Sequence, residues 1–138
     1  MKPKYPDAAR VWQRVLPPEP REQQTLQTLM RQLHLDMAYL KQRSKGGEDP
    51  TVGLLIREYT GQLHSLRGIL LLTGGSLPRE SGGMTDHSLS RCFDHALQRL
   101  AAWQLRSADP VFGPVFRKLA QQTEHHCFCL TQLLGSSR

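Results

Sequence analysis

The chain has 138 residues, 38% hydrophobic and 22% charged, enough for one domain with a real core. No run of about 18 apolar residues occurs, which excludes a hydrophobic helical membrane span; Lys2 and Lys4 precede no apolar stretch, so the expected location is cytoplasmic. The net charge of +6 would attract anions, but the basic residues are scattered from Lys2 to Arg138, which argues against nucleic acid as the partner.

Residues 1–20 read as an N-terminal arm. A short helical piece with Val11, Trp12 and Val15 on one side is stopped by Pro17, Pro18 and Pro20. Trp12 is expected to pack the arm on the main body.

A first helix is predicted over residues 21–44, with Leu26, Leu29, Leu33, Met37 and Leu40 at helical spacing. Glu22 near its start and Lys41, Arg43 and Lys45 near its end suit the helix dipole. Gly46-Gly47 ends it, and Asp49-Pro50 opens the second helix, over 50–73. The apolar face there carries Leu55, Ile56, Tyr59, Leu63, Leu66 and Leu70, with Gln62 inside it. Gly53, Gly61 and Gly68 gather on the opposite side, which is expected to abut the arm or a second subunit.

Residues 74–86 form a long connection rich in glycine and serine. The third helix is predicted over 88–107, with Leu89, Phe93, Ala96, Leu97, Leu100 and Trp103 on one face. Asp109-Pro110 makes a tight joint into the fourth helix, over 111–134. Its inward stripe is Val115, Leu119, His126, Leu130 and Leu133, flanked by Phe116, Thr123 and Leu134. His126 aims at the interior, whereas His125 points away. His34, His64, His87 and His95 are expected in solvent. The short, long, short pattern of connections is that of a single-crossover all-α four-helix bundle.

Two stretches, LRGILLLTGG at 66–75 and ADPVFGPVFRKLAQQTEHH at 108–126, resemble the ferritin-like superfamily, in particular small rubrerythrin-like bundles. The resemblance covers residues 21–135 and implies a ferritin-like four-helix bundle with a long crossover between its second and third helices. Active members hold two metal ions with a Glu from each of two helices and Glu-x-x-His from each of the other two. At the corresponding inward positions this chain has Leu33, Tyr59 with Gln62, Ala96, and Thr123 with His126. No carboxylate is among them. Glu58 and Glu124 neighbour core positions but are rotated by ~100°, Asp94 lies to one side, and Asp36 flanks the first seam.

Tyr59, Gln62, Thr123 and His126 are therefore expected to form a neutral polar cluster in the core, without metal, cofactor or catalytic residue. An alternative register would turn Glu58 and His64 inward to join Glu124, His125 and His126 as an atypical site for iron or manganese. It would expose Leu63, Leu66 and Leu70, at roughly 1.5–3 kcal/mol each. Cys92, Cys127 and Cys129 match neither a disulfide framework nor a zinc motif, and nothing visibly activates Cys92 beside His95. The expected role is a non-catalytic structural or interaction module, with a homodimer as the association it allows. The competing readings are a ferritin- or rubrerythrin-like oxidoreductase or iron-handling protein, and a basic nucleic-acid or anion binder.

Overall fold

The computed structural model describes residues 20–44, 49–78 and 87–136. Four α-helices account for most of them: α1 (Pro20–Arg43), α2 (Pro50–Leu72), α3 (Leu89–Arg106) and α4 (Gly113–Ser136), with no strand among the described residues. None of these helices is long and apolar enough to cross a membrane. The expected arm, apart from Pro20, and residues 79–86 of the expected crossover lie outside the described residues.

Local chemistry sets the helix ends. Glu22 in the first turn of α1 and Lys41 and Arg43 in its last face the matching ends of the dipole. The Asp49 side chain accepts from Thr51 N at 2.9 Å, and Pro50 follows as a first helical residue that needs no donor. At the other end of α2, Gly74 takes φ +78, and Gly75 N donates to Leu70 O at 2.7 Å. Ser88 caps α3 by accepting from Arg91 N at 3.1 Å. Asp109 Oδ1 accepts from Val111 N and Phe112 N, turning the chain into α4. A Cβ at Gly113 would lie 2.7 Å from Ser107 O, so this joint requires glycine.

Each helix lines the core with residues three and four apart. Leu33, Leu40, Leu55, Leu66, Leu70 and Leu130 are fully buried, and Trp103 stacks on Phe116 at 5.7 Å between ring centroids. On α3 the buried stripe is Leu89, Cys92, Ala96, Arg99 and Trp103. This corrects the predicted face: Leu97 is exposed, and Phe93 and Leu100 are only half-buried. The stripe advances by three, four, three and four residues, and that geometry puts an arginine where hydrophobicity alone selects a leucine.

Packing runs around a square. α1 packs on α2, α3 on α4, and the two pairs meet through α2 with α4 and α1 with α3. Cross-links show the directions. Met37 meets Thr60 while Gln27 meets Ser76; Glu22 meets Arg106 while Gln32 meets Gln98; Glu58 meets His126 while Gln62 meets Thr123. In each case a rising number on one helix meets a falling number on the other, so these neighbours are antiparallel. Both α2 and α3 oppose α1 and therefore point the same way. The end of α2 lies beside Gln23 and Gln27 of α1, whereas His87, just before α3, lies beside Asp36 and Tyr39. That separation is roughly 18 Å along the helix axis.

The glycine side of α2 meets nothing among the described residues: a Cβ at Gly53, Gly61 or Gly68 would find no such atom within 4 Å. The arm expected there lies outside them. Gly61→Ala should consequently stabilise the protein by about 0.5–1 kcal/mol, through restricted unfolded-chain freedom and better helix propensity. Urea unfolding measures this; a destabilised Gly61→Ala variant would show that something does pack on that side.

Candidate functional site

A line of polar side chains runs through the apolar core. On the α1–α3 side its centre is Asp36, which is fully buried although it is an acid. It lies three residues after Leu33 and four before Leu40, hence on the core stripe of α1. Burial of a carboxylate is costly unless it is paired and hydrogen-bonded, and Asp36 is both. Its Oδ2 accepts from Arg99 Nη1 at 2.9 Å. Its Oδ1 lies 2.7 Å from His87 Nε2 and 2.8 Å from His95 Nδ1. Arg99 is also fully buried, and its guanidinium carbon stands 5.1 Å from the centroid of the Tyr59 ring. Cys92 Sγ is 3.5 Å from His87 Nε2, and Tyr39 meets the His87 ring edge-on at 5.0 Å.

On the α2–α4 side, Tyr59 meets the ring of His126 edge-on at 5.1 Å. Gln62 Nε2 lies 3.2 Å from Thr123 Oγ1 and 3.2 Å from Gln122 Oε1. Thr123 Oγ1 in turn donates to Leu119 O at 2.7 Å. The structure thus brings Tyr59, Gln62, Thr123 and His126 together between α2 and α4. It also adds a carboxylate to a cluster expected to be neutral. Half-buried Glu58 reaches round from the position next to Tyr59, and its Oε1 lies 2.7 Å from His126 Nε2. A helical rotation of ~100° separates Cα–Cβ directions, but the two methylenes of Glu58 are long enough to bridge it.

Burial controls the ionisation of this line. It pulls His126 down to about 4, against the Glu58 hydrogen bond and charge that favour the imidazolium. Near neutral pH His126 is thus an uncharged ring whose Nε2–H donates to Glu58, leaving Nδ1 as its lone acceptor. Burial also pushes the Tyr59 phenol well above its ordinary range, with Arg99 opposing. The Cys92 thiol rises for the same reason, with the Asp36 charge adding to it. Burial likewise raises Cys127 and Cys129. These are protonated, poorly nucleophilic groups.

Of the residues of the alternative register, only Glu58 and His126 come together. His64, Glu124 and His125 are exposed, and His125 stacks on the equally exposed Phe128 at 6.2 Å. His34 is also exposed. His87 and His95 contradict the expectation of solvated histidines: their side chains are only 6% and 16% exposed, because both are drawn in by the buried Asp36 carboxylate. Asp36, His87, Cys92, His95 and Arg99 form the other half of the line; the sequence places Asp36 only at the flank of the first seam and both histidines in solvent, and Arg99 goes unnoticed. Their signal was the stripe itself: the acid of α1 and the arginine of α3 both fall on core-facing rows, and a buried acid needs a buried base.

A two-metal carboxylate centre does not fit these residues. Leu33, Ala96, Tyr59, Gln62 and Thr123 stand at the inward positions, and a guanidinium occupies the middle of the line. The donors Arg99 Nε and Nη2, the Tyr59 hydroxyl and the acceptor His126 Nδ1 have no hydrogen-bond partner among the described residues, and none of them is an anionic ligand.

No protein-family model, curated protein or solved structure matches this chain.

Proposed function

We propose that the chain is a ferritin-like bundle in which an arginine-centred polar line replaces the two-metal centre, and that it works as a non-catalytic structural or interaction module. One observation carries this reading: the fully buried guanidinium of Arg99, held between the Asp36 carboxylate and the Tyr59 ring. A fixed cation beside the inward positions opposes a pair of divalent ions there, and the carboxylates that would bridge two ions are replaced by Leu33, Tyr59, Ala96 and Thr123. The helix order around the square, with α2 and α3 pointing the same way, supports the ferritin-like part of the reading.

The test is anaerobic loading with ferrous iron, followed by oxygen or peroxide. The expected result is no binding of a pair of irons per chain and no oxidation faster than that of free iron. Stoichiometric uptake of two irons, with the absorption of an oxo-bridged pair, would overturn the proposal.

A further inference from the structure

We infer that Asp36, His87 and Cys92 form a three-donor site for a single zinc-like ion, at the α1–α3 edge of the polar line and separate from any two-metal centre. The three donor atoms lie within 4.8 Å of one another, and they come from α1, from the residue before the α3 cap and from the first turn of α3. Carboxylate oxygen, imidazole nitrogen and thiol sulfur together make the mixed donor set that zinc prefers.

The spacing supports this assignment. Tetrahedral zinc with bonds of about 2.0 Å to nitrogen and 2.3 Å to sulfur sets those two ligands about 3.5 Å apart. His87 Nε2 and Cys92 Sγ are separated by 3.5 Å. Two ligands at about 2.0 Å each would be about 3.3 Å apart. Asp36 Oδ1 and His87 Nε2 are now 2.7 Å apart and hydrogen-bonded, so this edge opens by roughly 0.6 Å when a metal replaces the shared proton. His95 Nδ1 on Oδ1 and Arg99 Nη1 on Oδ2 hold the carboxylate from outside, the role that outer partners play around a ligating acid.

The charge and proton balance closes. The ion takes the lone pair of His87 Nε2, whose proton moves to Nδ1. Cys92 loses its proton to solvent and binds as thiolate. Asp36 and Cys92 then cancel the two positive charges of the metal. The charge of Arg99 remains, against the Tyr59 ring and with Glu58 as the anion at the far end of the line. Three protein donors leave a fourth position for a solvent molecule.

Cobalt(II) is the probe, added to the full chain after reduction and chelator treatment. The expected result is one cobalt per chain with a thiolate-to-cobalt charge-transfer band, displaced stoichiometrically by zinc. Cys92→Ser should abolish the band, whereas Cys127→Ser with Cys129→Ser should leave it. His95→Gln should keep the band but weaken affinity about 10–100-fold. X-ray absorption of the zinc-loaded unmodified protein should show one sulfur among nitrogen and oxygen neighbours, a reading that stands even if Cys92→Ser fails to fold. Absence of the band, its survival in a folded Cys92→Ser protein, or a zinc shell without sulfur would overturn the site and leave Asp36, His87 and Cys92 as a hydrogen-bonded cluster only. Failure here leaves the iron experiment unaffected, because that experiment counts a pair of irons and this one a single thiolate-bound ion.

Discussion

Arg99→Met should destabilise the protein by roughly 3–5 kcal/mol, the cost of leaving a buried carboxylate without its cation. Methionine nearly fills the space of the arginine stem, so cavity formation contributes little. The loss comes from Asp36, which is fully buried and would keep only the two histidine contacts at Oδ1. Asp36→Leu combined with Arg99→Met should cost less than Arg99→Met alone, since a buried ion pair replaced by apolar side chains of similar size is often close to neutral. A double-mutant cycle in urea separates the outcomes. If the single and double variants are equally destabilised, packing of the arginine stem rather than charge compensation holds this part of the core.

Acid should unfold the protein partly through His126. The imidazole is lowered from an ordinary 6.5 to about 4 in the folded chain, which corresponds to about 3 kcal/mol. Between those two pH values the unfolded chain binds a proton that the folded chain does not. Stability therefore falls as pH falls from 6.5 to 4, and this contribution is flat above and below that window. The useful quantity is the difference between the unmodified protein and His126→Gln. The gap between their unfolding free energies should shift by about 3 kcal/mol between pH 7 and pH 4, with the unmodified protein losing more. Parallel stability curves would show that Glu58 keeps the protonated ring as stable inside as outside.

The helix ends were legible in the sequence because each depends on neighbours along the chain. Pro50 after Asp49, Gly74 after Thr73, Ser88 and Asp109 act within a few residues, and the predicted and observed limits differ by at most two positions. Tyr59, Gln62, Thr123 and His126 were legible as inward residues because each interrupts an otherwise apolar stripe. The opposite half of the line was not. Choosing the α3 face by hydrophobicity favoured Leu97 over Arg99, and the apolar stem of Leu97 in fact stands in solvent. Histidines 87 and 95 looked like surface residues because the acid that draws them inward is 51 and 59 residues away in sequence. No local pattern reports a partner at that distance.

The shared direction of α2 and α3 also orders the events of assembly. α1 with α2, and α3 with α4, each close over a short joint, so their contacts cost little chain entropy. The polar seam instead joins residues 51 to 84 apart and can form only when the two hairpins dock. Asp36 and Arg99 sit on that seam and enter a dry environment at the last step. Weakening their pair is then expected to accelerate unfolding while hardly slowing folding, with a φ-value near zero for Arg99→Met. Stopped-flow chevrons read this directly: an equal shift on the folding arm would mean that hairpin docking precedes hairpin formation, and that the seam acts as the nucleus rather than the lock.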